Sequence, residues 1–171
     1  MPQHSSHTDE WVTLAMTKYF PTVYRLAYAR TRSRWDAEDV TQEVMLKLIA
    51  HSGSIRDEDH LKAWLLQVTA HQSVNLFRSA WRRLTSPLNE AALGTPPTPV
   101  HDELDDALQA LSRDLRTIIH LYYYEDMSSA EIAGLLHISP EAVRKRLSRA
   151  RKQLQRTLSE EGGERHAAKP L

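Results

Sequence analysis

One proline-rich stretch limits what this chain can fold into. Residues 85–103 (TSPLNEAALGTPPTPVHDE) hold four of the eight prolines, one glycine and almost no hydrophobic periodicity. Proline has no N–H to give a helix or sheet ladder, and clustered prolines keep a backbone semi-extended. The chain therefore reads as two short bodies, residues 10–84 and 104–158, joined by a linker at 85–103. The polar residues 159–171 are expected to form a disordered tail. Bodies this small bury only ~60% of their unfolded surface and are marginal alone. Stabilisation by a larger partner fits that size.

Both bodies carry the spacing of helices, and an all-α fold follows. In the first, Val23, Leu26, Ala27 and Arg30 recur at helical steps over 19–32, with Pro21 near a helix start or a kink. A second helix over 36–50 puts Ala37, Val40, Val44 and Leu48 on one apolar face. Asp39, Gln42, Glu43 and Leu46 project from the other side. Leu46 is an apolar residue among acids, and two readings fit it: a third helix covers it, or it belongs to a docking surface. From His60 to Leu84 the stripe Leu61, Trp64, Leu65, Val68 gives way to a second, Val74, Phe77, Trp81, Leu84. The polar run 69–73 between them predicts a phase break, with Ser73 capping a new helix. Trp64 and Trp81 read as core residues.

Beyond the linker, Leu104, Leu108, Leu111, Leu115 and Ile118 form one helical core stripe, followed by Tyr122, Tyr123 and Tyr124, at least one of them packed inward. Ser128 and Glu131 have the spacing of a capping box, in which hydroxyl and carboxylate satisfy exposed backbone donors reciprocally. Ile132, Leu135 and Leu136 give the short helix an inward face, His137-Ile138 make a turn, Ser139 caps the next helix and Pro140 occupies its first position. On that last helix Val143, Leu147, Ala150, Leu154 and Leu158 fall in one narrow stripe. Arg144, Lys145, Ser148, Arg149, Lys152 and Arg156 lie on the other side. A short helix, a tight turn and a second helix with a basic face make a helix-turn-helix, whose second helix can enter the DNA major groove. Arginine there can bind guanine in two-pronged fashion while neighbouring bases neutralise phosphate.

Charge supports that reading once its distribution is considered. The chain is neutral overall, 22 basic against 22 acidic residues, but the charges come in blocks. DAEDVTQE at 36–43 holds four acids and no base, whereas residues 144–156 hold seven bases and no acid. Arg78, Arg82 and Arg83 form a smaller basic cluster. Blocks of this kind concern partners rather than fold.

Other functions lack their residues. There is no cysteine, hence no disulfide, thiolate metal site or cysteine nucleophile. No glycine-rich phosphate loop occurs, and the histidines are scattered without a metal-ligand or triad pattern. No catalysis, cofactor or metal is expected. A ligand-controlled or phosphorylated DNA-binding regulator would need a sensing domain, and the helical first half has no parallel-sheet pattern. The polar start and the lack of any apolar run near ~20 residues predict a cytoplasmic protein without membrane insertion.

Taken together, three segments resemble one family, the extracytoplasmic-function (ECF) sigma factors of the bacterial RNA polymerase sigma-70 class. YFPTVYRLAYARTRSRWDAEDVTQEVMLKLI is similar to the opening of sigma region 2, and LKAWLLQVTAHQSVNLFRSAWRR to its promoter-melting and minus-10 segment. The stretch from LDDALQAL to SRARKQL resembles region 4, which reads the minus-35 element. The resemblance implies that Asp39, Gln42, Glu43 and Leu46 dock on the beta-prime clamp helices of core RNA polymerase. It implies that Ala70, His71 and Gln72 form a loop capturing a flipped minus-10 base, with Asn75, Arg78, Ser79, Arg82 and Arg83 along the adjacent DNA path. It gives minus-35 reading to Arg144, Lys145, Ser148, Arg149 and Lys152, a second polymerase contact to the beta flap, and control to a separate anti-sigma factor. Three residues depart from the family pattern: His137 stands where the turn commonly has glycine, His71 where a small polar residue is frequent, and Lys145 where serine is frequent.

Overall fold

A computed structural model describes residues 5–55, 57–84 and 103–167, with side chains over 10–55, 57–73 and 103–160. The chain divides into two compact units, and the division falls inside the proline-rich stretch, whose residues 85–102 lie outside the described ones. Every regular element among the described residues is helical.

The first unit is a three-helix body: α1 (Ser5–Thr31), α2 (Arg34–His51) and α3 (Glu58–Leu84). Helix α1 begins well before residue 19, because Val12, Ala15 and Tyr19 extend the buried stripe of Val23, Leu26 and Ala27 backwards at helical steps. Pro21 therefore sits inside the helix, on its exposed side, where the carbonyl one turn back can be hydrated. Arg32 ends α1 in the left-handed region (φ 53°), and Ser33 at once caps α2, its Oγ accepting from the Asp36 N–H at 3.3 Å. The predicted apolar face of α2 is the observed one: Ala37, Val40, Val44 and Leu48 are buried against α1 and against Leu61 and Leu65 of α3. Tyr19 donates to Glu58 Oε1 at 2.8 Å and ties α1 to the start of α3. Burial, helped by the charge of Asp59, raises the pKa of that phenol and keeps it a donor.

Helix α3 corrects one expectation. No loop interrupts it at 69–73, and Ser73 caps nothing. Thr69 and Ser73 are buried, and each hydroxyl donates to the carbonyl one turn earlier, Thr69 to Leu65 (2.7 Å) and Ser73 to Thr69 (2.8 Å). A hydroxyl satisfied within its own helix can sit in an apolar interface without breaking the helix. Trp64 is half-buried against the core, its ring 5.8 Å from that of His51, while the Trp81 side chain lies outside the described residues.

The second unit contains α4 (Glu103–Ala110), α5 (Arg113–Tyr123), α6 (Ser129–Leu136) and α7 (Pro140–Ala167). The leucine stripe predicted as one helix is split between α4 and α5, because Ser112 takes the extended conformation of a helix cap (ψ 155°). Leu111 and Ile118 are buried, whereas Leu104 is exposed. Among the tyrosines, Tyr122 is half-buried and Tyr123 and Tyr124 stay exposed. The buried His120 and Glu125 side chains face each other at 3.5 Å across the end of α5. Helix α7 runs to Ala167, past Leu158, so residues 159–167 of the expected tail are helical, while 168–171 lie outside the described residues. Its continuation is supported by the Arg156–Glu160 pair at 3.9 Å and by Ser159 Oγ donating to the Gln155 carbonyl at 2.7 Å.

Candidate nucleic-acid interface

The turn that aims α7 is built as its residues predict. Ser128 and Glu131 form a complete capping box, with Glu131 N–H donating to Ser128 Oγ (3.2 Å) and Ser128 N–H to the Glu131 carboxylate (2.8 Å). Helix α6 ends at His137 in the left-handed region (φ 55°, ψ 45°), and the Ile138 N–H returns to the Ala133 carbonyl at 3.1 Å. Ser139 Oγ then accepts from the Ala142 N–H at 3.1 Å, with Pro140 opening α7. A β-carbon at positive φ costs ~1–2 kcal/mol, part of which glycine loses again through its unfolded-state entropy. His137→Gly is therefore expected to stabilise the second unit by about 0.5–1 kcal/mol, read as slower hydrogen exchange of α6 and α7 amides in the full chain. Unchanged or faster exchange would contradict the strain.

Helix α6 packs on α7, and Ile132, Ala133 and Leu135 of the one and Val143, Leu147 and Ala150 of the other are buried. That burial fixes the rotation of α7 and leaves Arg144, Lys145, Ser148, Arg149 and Lys152 all exposed on its far side. Arg144 Nη2 lies 2.8 Å from Glu141 Oε1, one turn earlier. Glu141 is a residue the sequence pattern of basic positions passed over. Arg151 leaves the basic run: its Nε donates to the Tyr123 hydroxyl at 2.8 Å and its guanidinium lies over the Tyr122 and Tyr123 rings at 5.4 and 5.6 Å. It edges an apolar groove of about 510 Å³ lined by Leu104, Leu108, Ile119, Tyr124, Leu154 and Leu158.

On the first unit no third helix covers Leu46. Helix α3 packs elsewhere, and Leu46 remains 62% exposed beside exposed Asp39, Gln42 and Glu43. Two further residues join them, Trp35 (63% exposed) and Ile49 (52%). Positions 35, 39, 42, 46 and 49 follow alternating steps of four and three, so they form one stripe with apolar residues at both ends. The same helical arithmetic extended beyond the acids finds both. The expected minus-10 residues are less uniform. Ala70 is buried and His71 exposed, with Gln72 half-buried; because α3 is continuous there, Ala70 is part of the core. The side chains of Asn75, Arg78, Ser79, Arg82 and Arg83 lie outside the described residues, though α3 carries their backbone as helix to Leu84.

Residues 15–83 match the family model Sigma-70 region 2, and residues 101–154 match Sigma-70, region 4. The chain is 33% identical over 151 residues to the ECF RNA polymerase sigma factor SigL of Mycobacterium tuberculosis, covering 82% of this chain and 84% of SigL. This chain is an ECF sigma factor. The sigma factor is also 34% identical to a probable RNA polymerase sigma factor, RfaY, of Xanthomonas campestris pv. campestris, over 76% of this chain but only 36% of that protein's length. Its fold is shared with the sigma factor RpoE of Bartonella quintana, solved in complex with the anti-sigma factor NepR, at a TM-score of 0.71 and 23% identity, covering 86% of this chain and 96% of RpoE. Among the described residues of the sigma factor, no helix is long and apolar enough to cross a membrane.

Proposed function

We propose that this sigma factor binds core RNA polymerase through the α2 stripe and directs it to promoters through α7 and α3. The observation that carries the proposal is the pairing of two exposed faces of opposite chemistry on separate units. One is an acidic stripe with apolar ends on α2; the other is the basic outer face of α7. Exposed apolar residues on a face that also carries Asp39 and Glu43 suit a protein partner, because burying Leu46 and Trp35 there supplies the apolar core that binding needs. Core polymerase's beta-prime clamp helices are the proposed partner of Asp39, Gln42, Glu43 and Leu46, with Trp35 and Ile49 added. The apolar groove beside α4 is the proposed seat of the beta flap.

On DNA, Arg144, Lys145, Ser148, Arg149 and Lys152 would enter the major groove of the minus-35 element. His71, Gln72, Asn75, Arg78, Ser79, Arg82 and Arg83 would follow the opened minus-10 strand, Ala70 supporting them from within the core. The polymerase performs the chemistry and this cytoplasmic factor chooses the promoter, needing no cofactor. An anti-sigma factor would restrain it by covering either polymerase-binding face, as suits a relative of RpoE, which is solved bound to one. Run-off transcription on a promoter library tests the proposal: core polymerase alone should give no discrete starts, and added sigma factor should give starts sharing a minus-35 and a minus-10 element. A chain that binds DNA but never associates with core polymerase would refute it.

A further inference from the structure

Glu141 is the one acid between Ile132 and Leu158, in a stretch that carries seven bases. It is not at the edge of the basic surface. At 3.6 residues per turn, Ser148 and Lys152 fall within about 20° of its direction, with Arg144 and Lys145 on either side. It is also on the first turn of α7, the end from which a recognition helix reaches base edges. A carboxylate there is pushed against phosphate as the helix enters the groove, so its presence opposes simple affinity. Capping does not require it, because Ser139 Oγ already accepts from the Ala142 N–H. What the carboxylate does hold is Arg144, through Nη2 at 2.8 Å. A guanidinium has five donors in a rigid fork. With one edge on Glu141, the other edge of Arg144 remains for the two acceptors of guanine.

We propose that Glu141 is a positioning residue for minus-35 specificity: it fixes the guanidinium of Arg144 for one base and lowers affinity for every other sequence. The proposal rests on the assignment of α7 to minus-35 reading. By pinning the fork, Glu141 stops Arg144 from turning to the nearest phosphate, a contact that carries no sequence information. Specificity is then gained partly by weakening the wrong complexes.

The test uses holoenzyme assembled from full-length chain and core polymerase, selecting from duplexes with a fixed minus-10 element and a randomised minus-35 element. In E141A and the isosteric E141Q, preference at one or two adjacent base pairs should fall about tenfold. Binding to scrambled duplex should strengthen severalfold, and the slope of log affinity against log salt should steepen by up to ~0.9. R144A should lose the same preference, and E141A added to R144A should change that preference no further. Wild-type base preferences retained at every position in E141A and E141Q would overturn the proposal, whatever happens to overall affinity or melting temperature. So would an E141A effect on base preference undiminished by R144A. A wild-type holoenzyme that selects no minus-35 sequence would instead overturn the assignment of α7, and this proposal with it.

Discussion

Reversing charge at both Asp39 and Glu43, to lysine, is expected to lower affinity for core RNA polymerase by about a hundredfold, or roughly 2.7 kcal/mol. Both side chains are exposed on α2, and the residues that pack that helix, Val40, Val44 and Leu48, are untouched. The fold should therefore survive while the face changes sign. Like charges brought together at an interface cost several kcal/mol, and slower association adds to the loss because steering is reversed. Competition against labelled wild-type chain for a limiting amount of core polymerase measures the effect. Leu46→Ala should reduce affinity in the same assay without altering its salt dependence, since it removes only apolar contact. Equal competition by the double charge reversal would show that α2 is not the docking face.

The second large effect is expected on DNA. Arg149→Ala should weaken use of promoters carrying the preferred minus-35 base by about 10- to 100-fold, corresponding to ~1–3 kcal/mol for a two-pronged arginine–guanine contact. Promoters already lacking that base should be nearly unaffected. A uniform loss across all promoters, accompanied by a salt slope shallower by about one, would mean that Arg149 contacts phosphate. Initiation frequencies across a promoter library, compared between wild type and variant at saturating chain, separate the two.

The parts legible in the sequence were those whose physics is local. Ser128 with Glu131, and Ser139 before Pro140, mark helix ends by hydrogen bonds that span three residues, and the structure forms each of them. His137, where the family turn commonly has glycine, takes the left-handed conformation that glycine adopts most easily, at φ 55°. Failures came where a tertiary contact outweighs a local signal. The polar run 69–73 looked like an interruption because a hydroxyl in sequence does not reveal its acceptor, and inside α3 the acceptors are carbonyls of the same helix. The early start of α1 was hidden because the exposed Leu14 and Phe20 blur the face on which Val12, Ala15 and Tyr19 are buried. Arg151 belongs to the basic block but not to its outward set, and the tyrosines of α5 that hold it there could not be read from the sequence. Trp35, Ile49 and Glu141 were within reach of helical arithmetic but outside the charge blocks that drew attention to the faces.

Overall neutrality, 22 charges of each sign, is the sum of these separate surfaces. A stripe proposed to meet a protein and a basic helix proposed to meet DNA would interfere if they shared one face, and here they stand on different units. Linked by a chain, two modest interfaces reinforce each other once polymerase and promoter hold both at once.

The most direct test of this division follows initiation from one promoter, and from competing promoters, as the concentration of chain is raised against fixed core polymerase. The Asp39→Lys/Glu43→Lys chain should need far more protein for half-maximal initiation yet choose the same promoters at saturation. Arg149→Ala should saturate at the wild-type concentration and choose different promoters. If both variants shifted the same quantity, the docking and reading faces of this sigma factor would not be separate.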